Sequence, residues 1–154
     1  MNGQRLADRA AVIILLAIVG CSAGSKPVVV NFTSAPVTEL DRAIIDHFDK
    51  FYSVVNIDVA DKGRSYKLPK GVRGFGPTAP AYVQERCVAG MAVVSYVITV
   101  DGAVTSVFVL KTTDPLLDDV ARQRISERLF RPAELDGKPT ASIAATRFLF
   151  PCPT

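Results

Sequence analysis

Residues 90–112 limit the fold more than any other stretch. Residues 90–100, GMAVVSYVITV, are rich in β-branched side chains, and residues 104–111, VTSVFVLK, answer them across Asp101-Gly102. An Asp-Gly step between two such runs signals a hairpin, because Gly accepts positive φ without a Cβ clash and Asp is among the next most tolerant. The period then changes. Asp114 stands where a carboxylate caps a helix, and Pro115 takes the first helical position, where a missing N–H costs nothing. Leu117, Val120, Ala121, Ile125 and Leu129 recur at helical spacing and predict a buried stripe. Asp118 and Asp119 come early and Arg122, Arg124 and Arg128 late, which suits the helix dipole, and Asp118 with Arg122 forms an i,i+4 pair. Residues 130–133 end the helix, Asp136-Gly137-Lys138-Pro139 turns the chain, and residues 141–150, ASIAATRFLF, make a last strand. Two strands, a helix and a strand give an α+β fold.

The preceding segment reads as a β-α-β extension. Residues 28–33, VVVNFT, are strand-like, and Thr38 opens a helix predicted over residues 39–52. Thr38 and Asp41 approximate a capping box, with Asp in place of the usual Glu or Gln. Leu40, Ile44, Phe48 and Phe51 form its apolar stripe, with Ile45 and Tyr52 beside it, and this stripe needs a partner surface. His47 borders the stripe and is read as a boundary residue. Residues 53–60 look like a second strand. Residues 61–81 have the Gly, Pro and basic composition of a loop.

The N-terminus reads as a targeting signal. Arg5 and Arg9 precede the uncharged run AAVIILLAIVG at residues 10–20, which is shorter than the roughly 20 apolar residues a membrane span needs. Ile18-Val19-Gly20-Cys21 resembles a bacterial lipobox, which implies that Cys21 is acylated and becomes the mature N-terminus. An uncleaved anchor over residues 6–23 and plain secretion are the other readings. Ser22 after the cysteine favours the outer membrane over the inner by the same analogy. The resulting division is a signal peptide at 1–20, a lipid-anchored tether at 21–27, an extension and loop at 28–81, and a C-terminal domain at 82–154.

Three cysteines are present, Cys21, Cys87 and Cys152. With Cys21 acylated, two remain in an oxidising compartment, either joined or as two buried thiols. A Cys87–Cys152 bond closes a 66-residue loop, worth about 4 kcal/mol on the chain-entropy account. Two distant cysteines and one distant histidine do not match zinc-ligand spacing, so no metal is expected. The net charge of +3 comes without a basic cluster or an aromatic-basic stripe, so nucleic acid is not expected as a partner. No nucleophile–base set, paired carboxylates or phosphate-binding glycine loop stands out, so no catalytic residue, no cofactor and no enzymatic activity are expected.

The ordered set of Tyr82, Gly90, Val94, Tyr96, Ile98, Asp101-Gly102, Val104, Val107, Val109, Leu117-Asp118, Ala121, Phe130, Pro132-Ala133, Asp136-Gly137-Lys138-Pro139, Phe148 and Phe150 resembles the C-terminal domain of the TonB family. The resemblance covers residues 82–150. It implies a three-stranded antiparallel sheet with a packed helix, β-β-α-β, in which the hairpin's first strand is central and the last strand lies beside it. Cys87 and Cys152 then flank neighbouring strand ends, which agrees with a disulfide. There are departures: Val83 follows Tyr82 where that family has proline, a long proline-rich spacer is absent, and the leader lacks the histidine and serines that couple the family's transmembrane helix to its motor.

The resemblance also implies an extended partner segment added to a sheet edge. The candidate edge is residues 141–147, with Ala141, Ile143, Ala145 and Arg147 on one face and Ser142, Ala144, Thr146 and Phe148 on the other. The opposing reading is that this strand is paired or covered. The face away from the helix carries Val93, Val97, Phe108, Leu110, Ile143 and Leu149, which calls for a cover by residues 28–60 or by a second copy in a homodimer. The expected function is an envelope lipoprotein that binds a protein partner, with an outer-membrane receptor as one candidate. The alternative is an accessory energy transducer for TonB-dependent outer-membrane transport.

Overall fold

The computed structural model describes residues 26–31, 38–57, 64–73 and 80–152. The signal at 1–20, Cys21 and most of the tether lie outside these residues. In chain order the elements are β1 (Pro27–Val30), α1 (Glu39–Phe48), β2 (Ser53–Asn56), β3 (Tyr66–Lys67), β4 (Lys70–Arg73), α2 (Ala81–Glu85), β5 (Gly90–Ile98), β6 (Val104–Thr112), α3 (Pro115–Ser126), β7 (Leu129–Arg131), β8 (Ala133–Leu135), β9 (Lys138–Thr140) and β10 (Ser142–Phe150). Among the described residues, no helix is long and apolar enough to cross a membrane.

The local signals act as their chemistry requires. The Thr38 hydroxyl accepts from the Asp41 N–H at 3.2 Å, and the Asp41 carboxylate accepts from the Thr38 N–H at 2.8 Å. These reciprocal bonds satisfy two donors that a helix start leaves orphaned. Asp114 caps α3 by accepting from the Leu116 N–H at 2.8 Å. Between β5 and β6 the Gly102 N–H donates to the Thr99 carbonyl, and Gly102 lies at φ +83°. A Cβ there would collide with the Phe130 backbone, whose N–H donates to the Gly102 carbonyl at 2.9 Å. Asp136 (φ 51°) and Gly137 (φ 78°) form the two-residue turn between β8 and β9, the geometry a type I′ hairpin demands.

The central sheet has the order β2-β1-β10-β5-β6. Its β10-β5-β6 part is antiparallel and matches the expected three-stranded arrangement. The ladder from Ser142↔Ile98 to Phe150↔Gly90 runs unbroken. Because side chains alternate along a strand, this ladder divides the interior in two. On one face Val94, Tyr96, Ile98, Phe148 and Phe150 pack against Leu117, Val120, Ala121 and Ile125 of α3. On the other face Val97 and Ile143 pack with Val28, Val30, Ile44 and Phe48, bordered by Phe108 and Leu110.

The extension therefore packs on the domain, and it does more than cover a face. Helix α1 lies over the sheet, while β1 and β2 continue the sheet itself. β1 pairs parallel with β2 along four residues, and with β10 at Val29↔Ser142. Parallel neighbours joined through α1 form a βαβ unit, which composition alone did not distinguish from a separate layer.

Several expectations need correction. Leu129 does not belong to the α3 stripe: the helix ends at Ser126, and Leu129 is 48% exposed in β7. Residues 130–135 do not simply end a helix but form β7 and β8. The stretch 61–81 contains β3 and β4 and ends where α2 begins at Ala81. β3 pairs with β8 and β4 with β7, so a segment of loop composition finds its backbone partners far along the chain. Pro69, which has no N–H, falls between β3 and β4, where no ladder bond is lost. Helix α1 stops at Phe48, four residues before the expected end, and Phe51 is exposed.

The structure joins Cys87 to Cys152, with Cα atoms 5.1 Å apart. This bond lies beside the Phe150↔Gly90 end of the ladder. Two stability outcomes follow. Cys152→Ser should lower unfolding free energy by about 4 kcal/mol, as should reduction of the wild type, measured by denaturant titration. Phe48 is 0% exposed, so Phe48→Ala should cost about 3–5 kcal/mol by the same measurement.

Candidate partner-binding edge

The Val29 N–H donates to the Ala141 carbonyl at 2.9 Å. That bond fixes which groups of β10 face outward. Backbone groups alternate sides along a strand, so Ala141, Ile143, Ala145, Arg147 and Leu149 direct theirs away from β5. β1 takes up the first part. Ala141 and Ile143, expected at an open edge, are thus occupied by this chain's own strand, and Ile143 is buried. Ala145 and Arg147 are exposed, and among the described residues their outward groups have no strand partner.

β1 ends at Val30, and beside the vacated stretch a cleft of about 380 Å³ opens. Val30, Asn31, Asp41 and Ile44 border it on the α1 face of the sheet. Tyr66, Leu68, Pro69, Tyr96 and Phe130 border it on the α3 side, and Ala144 and Ala145 run between. The Tyr66 and Leu68 wall went unseen in the sequence, because only the pairing of β3 with β8 brings it to β10.

Several polar groups of the cleft are engaged, while the Asn31 Oδ1 is buried without a partner among the described residues. The Asp41 carboxylate is held by the Thr38 N–H and hydroxyl. The Tyr96 hydroxyl bonds the Thr146 hydroxyl at 2.8 Å, and burial pushes the Tyr96 pKa up. Burial pushes the Tyr66 pKa up as well. Both phenols are therefore neutral at physiological pH and offer hydroxyls rather than charge. Ser95, fully buried, donates from its hydroxyl to the Ala144 carbonyl at 3.1 Å. The walls are mainly apolar, with neutral hydroxyls, the Asn31 amide and the Asp41 carboxylate among them, a surface suited to a peptide. Among the described residues, no group of His, Cys, Asp and Glu is placed to hold a metal ion.

The other long edge differs. β6 carries two register shifts against β5, and Ser106 sits at φ 50° within one of them. The Arg122 guanidinium donates to the Val107 carbonyl at 3.1 Å while pairing with Asp118. Bulges and a charged side chain of this kind blunt an edge against strand addition.

Residues 77–151 match the family model for the Gram-negative bacterial TonB protein C-terminal. The solution NMR structure of the Pseudomonas aeruginosa TonB CTD is similar to this chain at 22% identity, over 60% of this chain and 91% of that one, with a TM-score of 0.40. No curated protein matches the chain. The TonB C-terminal match begins before α2 and ends just before Cys152, so β1, α1 and β2 lie outside it. The strand that takes up the start of β10 and the helix that covers Val97 are thus contributed by residues beyond the matched stretch.

His47 takes no part in the edge. Its ring stacks on Phe108 with centroids 3.6 Å apart and planes 4° from parallel. Burial, aided by the nearby Lys50, holds its pKa below the usual histidine value. The unfolded chain therefore takes up this proton at higher pH than the folded one. Stability from the neutral ring is full above about pH 6.5 and falls as pH drops below that value. Denaturation midpoints between pH 7.5 and 5.5 should show this decline, and His47→Phe should flatten it.

Proposed function

We propose that this protein binds an extended segment of another envelope protein as an added strand along the free part of β10, beyond the end of β1. One observation carries the reading. Among the described residues, the outward backbone groups of Ala145 and Arg147 have no strand partner along a straight ladder, between a wall on each face of the sheet. A strand entering there would bond to β10 through its backbone. Its alternate side chains would meet Ile44 and Asp41 on one face and Leu68, Pro69 and Phe130 on the other. The backbone bonds give affinity and the walls give modest selectivity. The TonB C-terminal match supports a protein-interaction role in the envelope. Anchorage through an acylated Cys21, in the outer membrane by preference, belongs to the same reading and rests on the leader sequence.

The test uses proline as a selective blocker. Ala145→Pro removes an outward N–H and puts a ring in the incoming strand's path, while the β5 ladder keeps its bonds. A photoreactive residue at position 147 should crosslink an envelope protein in intact cells, and peptide mapping should place the link in an extended segment. Ala145→Pro should cut that yield at least about tenfold, since a lost hydrogen bond and a steric block together exceed about 1.4 kcal/mol. A melting temperature close to wild type would show that the fold survives. Unchanged capture in the proline variant, or equal capture from position 106 on β6, would overturn the reading. Rescue of uptake in cells lacking their own transducer would favour the accessory-transducer role instead.

A further inference from the structure

The acylated Cys21 of the reading above, together with the strand directions, sets which end of the domain can meet the membrane. Five residue steps separate Cys21 from Lys26, the first described residue before β1. Fully extended, they span at most about 18 Å. Lys26 lies at one definite end of the sheet. Its carbonyl accepts from the Ser53 N–H at 3.1 Å, and Pro27 pairs with Ser53. Val55 pairs with Val29, Val29 with Ser142, Ser142 with Ile98 and Ile98 with Val104, so one row crosses all five strands at this end. The α1–β2 turn and the β5–β6 turn emerge here.

β10 runs from this row toward the disulfide. From Ser142 to Phe150 it takes eight steps, about 26 Å at strand rise. Placing the disulfide end on the bilayer would lift Lys26 at least that far above it. An 18 Å tether does not reach.

The end near Lys26 also exposes two large apolar side chains at its turns. Phe51 is 64% exposed in the α1–β2 turn and Val100 is 49% exposed in the β5–β6 turn. Beside Val100 lies an open cleft of about 680 Å³, bordered by Val28, Tyr52, Val97 and Ala141 and by the charged Lys26 and Asp101. Apolar side chains such as Phe51 and Val100 gain by leaving water at a lipid interface.

We propose that the bilayer holding Cys21 docks against this end of the sheet, with Phe51 and Val100 at the lipid surface and the free part of β10 directed away. The inference rests on the acylation reading. It places the partner-binding edge on the side facing the aqueous compartment, within one domain length of the membrane. The partner must then come to the lipoprotein, since the tether cannot carry the domain across a wide gap.

The chain has no tryptophan, so single tryptophans report their own depth. Full-length protein purified from the envelope, its lipid verified by intact mass, is reconstituted in phosphatidylcholine vesicles containing brominated acyl chains. Phe51→Trp and Val100→Trp should lose most of their emission to bromine, and Leu149→Trp should keep its own. Quenching of Leu149→Trp to the same extent, or of none of the three, would overturn the orientation while the verified lipid leaves the anchor reading intact. An intact mass without lipid would overturn both.

Discussion

The β5–β10 ladder is the constraint from which the rest follows. It is the longest unbroken pairing in the sheet, and both of its strands alternate between two buried faces. Even-numbered positions of β10 serve the α3 core and Ile143 serves the α1 core. A slip of one residue would send Phe148 and Phe150 toward the α1 side and Ile143 toward α3. The two-sided burial therefore fixes register more firmly than a one-sided sheet could. The disulfide ties the two strand ends where the ladder would otherwise fray. Arg128, over the Phe148 ring at 5.1 Å, adds a cation–π contact near the same end.

A sheet apolar on both faces must be covered on both, and this accounts for the N-terminal unit. Three strands and α3 alone would leave Val97, Ile143, Phe108 and Leu110 in water. Helix α1 covers them, and β1 and β2 hold α1 in place by joining the sheet. The cover is incomplete. Leu149 is 60% exposed on the same face, beyond the reach of the four-residue β1 and the ten-residue α1. Among the described residues, the lengths of β1 and α1 thus decide how much of β10 is left uncovered.

The sequence made local features legible wherever one residue type has one physical use. Asp101-Gly102, Asp114-Pro115 and the Thr38–Asp41 pair each fall where the chain turns or a helix starts. The stripes Leu117–Ile125 and Ile44–Phe48 are buried as their spacing requires. Strand pairs distant in sequence were less legible. Nothing within residues 64–73 announces a partner at 129–135, because two- to four-residue strands carry too few side chains to show a period. Leu129 was misplaced for a related reason: it continues the α3 spacing, but the capping turn at Glu127 ends the helix before it. The edge was half legible. Alternation placed Ala141, Ile143, Ala145 and Arg147 on one face, yet which of them stay open depends on where β1 stops, and no residue of β10 encodes that.

An open edge normally invites copies of the same protein to pair, so its persistence needs a physical cause. Flat edge-to-edge pairing requires two whole sheets to approach side by side. Here the part of β10 beyond β1 lies in a cleft: α1 stands on one face, and the Leu68-Pro69 segment and Phe130 stand on the other. A second sheet flanked by the same walls would meet them before its edge reached hydrogen-bonding distance. Arg147, exposed on the strand, adds like-charge repulsion between identical copies. A single extended peptide carries no such walls and needs only the 4.7–4.9 Å spacing of a neighbouring strand. On the proposed reading, the recess would discriminate by thickness, admitting one strand while excluding a sheet. On that reading, the side chains that set the selectivity of the cleft would also oppose edge-to-edge pairing of two copies.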